Sequence, residues 1–300
     1  MKAALTGATG FIGRYIAREF MTPEDTLRAM VRPTSNSQFL KEGGAELVVG
    51  DFGDDDSLRK LVDGMDVVIH NGYWHDRNEL QEPMKWFELN VLGSLKLLEY
   101  SRRAGLKRFL FISSGAVYGR VRNPEEPRDE LTGCFPRGGY AAYNRAVEVY
   151  VPAYRSEFDM TGSASVRLCG RNVGVHRKIE ASAYIDIVKA ALAGEEIHVA
   201  GNDQPDCCVD IARNLRVLAE LPLERVEEVY CFCGDVFSMR EITEAIVRGT
   251  GSKSKVIEDA EAREFTSSSN ERIKRAGGTF SGLTGIEAYA RELVEALAKN

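Results

Sequence analysis

Residues 3–13, AALTGATGFIG, constrain this chain more than any other stretch. A short apolar run reads as a buried strand and passes straight into Gly7, Gly10 and Gly13, spaced i, i+3, i+6. A helical pattern follows, with Ile12, Ile16 and Phe20 on one face. Glycines let a backbone turn tightly and approach a pyrophosphate, while the N–H groups and dipole of a helix start hold its charge. Strand, turn and helix together predict a dinucleotide cradle built from Gly7, Thr9, Gly10, Phe11, Ile12 and Gly13. A merely flexible loop is the weaker reading, because it leaves the flanking strand and helix unexplained.

The 300 residues, 44% apolar and 28% charged, can bury a sizeable core as one large α/β domain or two unequal lobes. A net charge of −6 without a basic tract offers no footprint for nucleic acid. No apolar run approaches the roughly 18 residues of a membrane span. The first strand begins at Met1, so no signal peptide is expected and the cytoplasm is the expected address. Cys134, Cys169, Cys207, Cys208, Cys231 and Cys233 lack metal-ligand spacing, so reduced thiols and no metal site are expected.

Strands are predicted at residues 27–31, 46–51, 66–72, 108–113 and 163–168, alternating with helices, as in a doubly wound parallel sheet. At the end of the second strand an acid would select a free ribose hydroxyl, whereas arginine suits a 2′-phosphate. Arg32, with Ser35 nearby, therefore favours NADP over NAD, the alternative being a solvated surface arginine. Asp51 and Phe52 could flank the adenine, and Gly72, after Asn71, would admit the cofactor backbone. His70 lies inside a strand run and reads as a packed core residue rather than a base. Asp55 and Asp210 are expected to cap helices. A long helix is predicted over 84–103, with Asn90 bonding to a neighbouring strand. Ser113 and Ser114 end a buried strand, where α/β sheets bind ligands. Residues 120–139 read as a loop beside the site. Next comes a helix with Tyr140, Asn144 and Glu148 on one face. Ser238-Met-Arg-Glu241 has capping-box spacing, and 285–299 is a terminal helix.

With these residues assembled, the chain resembles the extended short-chain dehydrogenase/reductase superfamily, of the NAD-dependent epimerase/dehydratase type. The likeness rests on residues 6–13 (TGATGFIG), 67–70 (VVIH), 90–93 (NVLG) and 113–119 (SSGAVYG), and later on Val209-Asp210 and 237–241 (FSMRE). It implies a Rossmann-type sheet with a smaller C-terminal substrate lobe. The expected division is a dinucleotide-binding domain at 1–168, with 195–235 returning to it, and a lobe formed by 169–194 and 236–300. It also implies a serine, a tyrosine acting as general acid/base, and a lysine whose charge assists the phenol and which holds the nicotinamide ribose. By position Ser114 matches the serine and Tyr140 the tyrosine.

The lysine position is Asn144, which can bond a ribose hydroxyl but carries no charge. Its loss would weaken proton transfer by roughly tens- to hundreds-fold. Arg145 is about 100° around the helix from Asn144, and reading Tyr143 as the catalytic tyrosine puts Val147 at the lysine position. Residues 166–174 (VRLCGRNVG) lack the proline and tyrosine usual in the family. Arg167, Arg171, Arg177 and Lys178 could grip a substrate phosphate or form a solvated face.

The expected function is an NAD(P)-dependent oxidoreductase or epimerase/dehydratase acting on a hydroxyl or carbonyl carbon of a small molecule, including that of a sugar nucleotide. The alternative is a weakly active or inactive dinucleotide sensor or scaffold on the same fold. The resemblance also implies pairing of the 84–103 and 140–158 helices into a homodimer, and Tyr150, Val151 and Tyr154 suit either that seam or the core.

Overall fold

The computed structural model describes residues 1–74, 82–119, 126–259 and 265–299. In chain order the elements are β1 (Lys2–Thr6), α1 (Phe11–Phe20), β2 (Thr26–Val31), α2 (Gln38–Glu42), β3 (Glu46–Val49), α3 (Asp55–Val62), β4 (Val67–His70), α4 (Pro83–Trp86), α5 (Gly93–Arg103), β5 (Phe109–Ser114), α6 (Gly139–Phe158) and β6 (Ala164–Leu168). There follow β7 (Arg171–Val173), α7 (Ile185–Ala193), β8 (Ile197–Val199), β9 (Asn202–Asp203), β10 (Pro205–Cys207), α8 (Cys208–Glu220), β11 (Val229–Phe232), β12 (Phe237–Ser238), α9 (Met239–Thr250), β13 (Val256–Glu258), α10 (Glu271–Arg275) and α11 (Gly282–Ala298).

Seven strands form one sheet in the order β11-β6-β5-β4-β1-β2-β3. The pairs from β5 through β4, β1 and β2 to β3 are parallel. This is the doubly wound α/β arrangement anticipated from the alternating pattern. The central strands are covered on both faces, so they read as continuous apolar text rather than alternating text. Ala3, Ala4, Leu5 and Thr6 of β1 are all buried. On α1 the buried residues Gly13, Ile16, Ala17 and Phe20 follow helical spacing and lay one stripe on the sheet. Strand order reverses between β1 and β4, and the carboxyl ends of those strands form the position where such sheets accept ligands.

The chain divides into two compact units: Met1–Arg120, Gly133–Arg167 and Ala212–Tyr230 in one, and Val121–Thr132, Leu168–Ile211 and Cys231–Asn300 in the other. The second unit has its own core, in which Val173 and Cys207 join Ile242, Ile246, Ile286, Tyr289 and Leu293. Its helices α9 and α11 cross at Gly249, where a Cβ would stand 2.5 Å from the Glu287 carbonyl oxygen. Ser238 forms the capping box expected of it, with Ser238 and Glu241 each bonding the other's backbone N–H.

Several local expectations are corrected. The cap of α3 is Asp54, which accepts from the N–H groups of Asp56 and Ser57; Asp55 begins the helix. Asp210 sits inside the first turn of α8 and accepts from the N–H and hydroxyl of Ser281 instead of capping the helix. The predicted helix at 84–103 is α4, a π-helical turn over Phe87–Leu92, and α5. Its wide turn contains Asn90, whose amide spans both backbone groups of Trp74, accepting from N–H at 2.7 Å and donating to the carbonyl at 3.0 Å. Asn90 thus ties the helix to the segment leaving β4 rather than to a strand. The short strands β7, β9, β10, β12 and β13 escape the sequence reading because two- or three-residue ladders carry no period.

Replacing Asn90 by alanine leaves a buried donor and acceptor of Trp74 without partners. It is expected to lower the unfolding free energy by about 2 kcal/mol, read from the urea midpoint at pH 7.

Candidate functional site

Gly7 follows β1 at φ +71°, a conformation that strains any residue with a side chain. A Cβ there would also lie 2.7 Å from the carbonyl oxygen of Asn71 at the end of β4. A Cβ on Gly13 would stand 1.9 Å from the Gly7 carbonyl oxygen, so the start of α1 rests directly on the loop. Gly10 donates its N–H to that same oxygen at 2.9 Å. Gly10 is exposed, and Thr9, Phe11 and Ile12 are half-buried. No side chain caps α1, and no acid occupies its first turn. The helix start therefore presents positive potential at the carboxyl edge of the sheet, as an anion requires.

Beneath the loop runs a buried hydrogen-bonded chain. Gly72 N–H donates to Thr6 Oγ1 at 2.9 Å, and Thr6 Oγ1 meets His70 Nδ1 at 2.7 Å. His70 Nε2 meets Ser94 Oγ at 2.7 Å, and the Ser94 hydroxyl donates to the Asn90 carbonyl at 2.6 Å. Because the single Ser94 proton is spent on Asn90, Nε2 carries the imidazole proton and Nδ1 accepts from Thr6. Burial depresses the His70 pKa to about 3, so the ring is neutral and structural, as its place inside the strand suggested.

At the ends of β2 and β3, Arg32 and Asp51 are exposed on strands that pair Val31 with Val49. Among the described residues Arg32 has no side-chain hydrogen bond or ion pair, while Asp51 accepts from Gly53 N–H at 2.8 Å. Phe52 turns its ring into the core, edge-on to His70 at 5.3 Å. A Cβ on Gly72 would meet that ring at 2.5 Å, so the space beside Gly72 is filled by protein. Asn71 is half-buried and gives its carbonyl to the approach of Gly7.

The two serines that end β5 separate in role. Ser113 is buried and donates to Glu148 Oε1 at 2.6 Å, which corrects the expectation that both hydroxyls face a ligand. Ser114 is half-buried; its Oγ accepts from Ala116 N–H at 3.2 Å, leaving the hydroxyl proton to donate. Tyr140, in the first turn of α6, is 43% exposed and stands edge-on to Tyr73 with ring centroids 5.0 Å apart. Asn144 is buried and donates Nδ2 to the Tyr140 carbonyl at 2.8 Å. Tyr143 is enclosed between Phe111 and Tyr73, and burial raises its pKa, so it serves packing.

Glu148 is the hub of this region. It holds Arg167 through Nε and Nη2, both at 3.0 Å, and Arg145 at 3.1 Å. Arg167 also donates to the Tyr118 hydroxyl at 3.1 Å. Burial opposes its charge, but the hydrogen bonds and charge of Glu148 prevail and its pKa is raised. Arg167 is thus committed inside the protein and grips no substrate phosphate. Arg171 is paired with Asp203, and Tyr184 donates to the same carboxylate at 3.1 Å. Tyr73 and Ser94 went unnoticed in the sequence, because one aromatic or hydroxyl residue in a loop or helix carries no pattern; Thr6 belongs to the glycine motif, but its bonds to Gly72 and His70 are not legible there.

The six cysteines are free thiols, with Cys207, Cys208, Cys231 and Cys233 buried. Among the described residues no set of three or more His, Cys, Asp or Glu could hold a metal, and no helix is long and apolar enough to cross a membrane. Of the expected loop at 120–139, residues 120–125 lie outside the described residues. The remainder carries an isolated bridge between Gly119 and Phe135.

A parallel sheet whose first strand feeds a glycine turn and an uncapped helix defines a Rossmann-type protein. A profile of the NAD dependent epimerase/dehydratase family matches residues 3–206, and the chain belongs to that family. It is 30% identical to the UDP-glucose 4-epimerase of Streptomyces lividans over 271 residues, covering 83% of this chain and 81% of that protein. The fold matches UDP-glucose 4-epimerase of Thermus thermophilus, solved with NAD, with a TM-score of 0.74 at 21% identity, over 99% of this chain and 100% of that one. It also matches RMD from Pseudomonas aeruginosa, solved with NADPH, at 0.74 and 19% identity, over 98% and 100% of the two chains.

Because His70 is depressed from 6.5 to about 3, its contribution to stability is full above pH 6.5 and is lost as pH falls toward 3. The loss should approach about 1.4 kcal/mol per pH unit. Urea midpoints of the wild type should therefore fall between pH 7 and pH 5 more steeply than those of His70→Asn.

Proposed function

We propose that the chain is an NADP(H)-dependent oxidoreductase or epimerase/dehydratase that acts on a hydroxyl-bearing carbon of a sugar nucleotide. The glycine turn carries the cofactor reading: Gly7 and Gly13 let the loop, the end of β4 and the start of α1 pack backbone on backbone, and Gly10 at the N-cap brings no side chain to the helix start. Thr9, Phe11 and Ile12 complete the cradle, Asn71 borders it, and Asp51 flanks the adenine end, whereas Phe52 is committed to the core beside Gly72 and is not available to the adenine. The unpaired Arg32 supports NADP over NAD, because a guanidinium suits a 2′-phosphate. When bound, the nicotinamide supplies hydride exchange with the substrate carbon.

The residues of the chain supply the rest. Ser114 donates its hydroxyl proton to the substrate oxygen, and the exposed Tyr140 phenol exchanges a proton with it. Asn144 anchors a ribose hydroxyl through its side-chain amide, of which one N–H is already given to the Tyr140 carbonyl. The substrate class is supported by the 30% identity to the Streptomyces lividans epimerase. The unit of 1–120, 133–167 and 212–230 serves as the dinucleotide-binding domain and that of 121–132, 168–211 and 231–300 as the substrate lobe, so that 195–211 and 231–235 go with the lobe rather than with the first domain as expected. Exposed Phe87 and Leu92 together with Val149, Tyr150 and Phe158 support a homodimer through these helices; Val151 belongs to the core.

One observation favours a second reading. The neutral Asn144 bonds back to its own helix, so no cation on α6 serves Tyr140, and Arg145 is held by Glu148. The chain would then bind the dinucleotide as a sensor with little turnover.

Fluorescence titration should give tighter binding of NADPH than NADH, with the order reversed by Arg32→Glu. NADH binding without NADPH binding overturns the NADP assignment. With UDP-glucose and UDP-galactose as substrates, Asn144→Lys should raise turnover roughly tens- to hundreds-fold, and Tyr140→Phe should abolish it. Cofactor binding without turnover by either wild type or Asn144→Lys selects the sensor.

A further inference from the structure

Asp206 is the central residue of β10 and is fully buried. Neither of its carboxyl oxygens has a hydrogen-bond partner. In the parallel register of β10 with β7 it stands beside Asn172, which puts the two side chains on one face of the ladder. The side-chain oxygen of Asn172 is itself buried and unpartnered. Three buried acceptor oxygens, none with a hydrogen-bond partner, therefore sit on paired positions of one ladder, an arrangement that would normally be strongly destabilising. Gly170 makes room for it, since a Cβ there would stand 3.0 Å from Asp206 Cβ.

Among the described residues no cation acts on Asp206. Of the charged groups only Asp210, in the first turn of α8, acts on Asp206, and its negative charge opposes ionisation. The thiols of Cys207, Cys208 and Cys233 lie within electrostatic reach, and burial raises all three. Arg128 and Glu130 act on Cys233, and Glu292 on Cys208, but none of these acts on Asp206. Arg171, next to Asn172 on β7, is already paired with Asp203.

We infer that Asp206 is held as the neutral acid and donates its proton to the Asn172 side-chain oxygen, forming a proton-dependent latch between β7 and β10. One proton converts one of the three acceptors into a donor and needs no ligand. Losing it leaves a carboxylate facing an amide oxygen, with Asp210 behind, and drives the two strands apart. The Arg171–Asp203–Tyr184 cluster rides on the adjoining positions of the same ladder, because Arg171 N–H bonds the Gln204 carbonyl at 2.8 Å. Alkaline conditions would therefore loosen that cluster along with the strands.

The sign follows from burial, which raises the folded-state Asp206 well above the ordinary 3.8. The latch is complete below that ordinary value. Between there and the folded midpoint, each pH unit multiplies the opened population by about ten. Amide hydrogen exchange on the full chain tests this at residues 171–174 and 205–207, between pH 5 and 9 and corrected for intrinsic base catalysis. Wild-type exchange should accelerate about tenfold per pH unit within that window, whereas Asp206→Asn, which keeps a donor for Asn172, should show no such slope. Should Asp206→Asn fail to fold, the carbon-13 shift of the Asp206 carboxyl in the wild type decides: a neutral-acid signal at pH 7 supports the latch. A carboxylate titrating below pH 5 overturns it and makes Asn172 a donor. Selective protection by sodium, potassium or magnesium chloride at pH 8, lost in Asp206→Asn, overturns it in favour of a cation.

Discussion

The buried carboxylate of Glu148 determines what the rest of the site can be. One oxygen receives Ser113 from the end of β5, both receive Arg167 from β6, and Arg145 closes the set from the same helix. A charge removed from water is tolerated only when its lone pairs are filled, and here they are. Through this residue the strand that carries Ser114 and the helix that carries Tyr140 are fixed to each other. A displacement at Glu148 would therefore move Ser114 and Tyr140, the two groups proposed to react, together, although it would touch neither.

Where a backbone has one solution, the sequence is informative. Residues 3–13 specify strand, turn and helix because Gly7 and Gly13 occupy places no side chain could share. The alternation of strands and helices gives the doubly wound sheet for the same reason, since buried parallel strands leave long apolar runs. Side-chain commitments are less legible. Arg167 reads as a surface cation because its partner lies 19 positions away, and only folding brings Glu148 to it. Ser113 and Ser114 look equivalent until the pleat sends one into the core. Asn90 signals a cross-element bond through its poor helix propensity, but the sequence does not reveal the π-turn that aims it at Trp74.

Asn144 carries the tension between scaffold and chemistry. Its size, burial and position on α6 suit a residue that reaches a ribose, and its back-bond to Tyr140 stabilises the first turn of the helix. The same back-bond takes one of its two N–H donors. The glycine turn of the family is kept, and the departure concentrates on the one position where the resemblance implies a cation.

Phe52 has a consequence of another kind. Its ring and backbone fill the space that a side chain on either Gly72 or Gly93 would need, at 2.5 and 2.6 Å, and it stacks edge-on against His70. The end of β4, the start of α5 and the turn after β3 therefore share a single volume. The two glycines are held in different ways: a side chain at 72 would displace the tip of the Phe52 ring and press on Thr6, whereas one at 93 would strike the Cβ and carbonyl oxygen of residue 52, which no smaller side chain there removes.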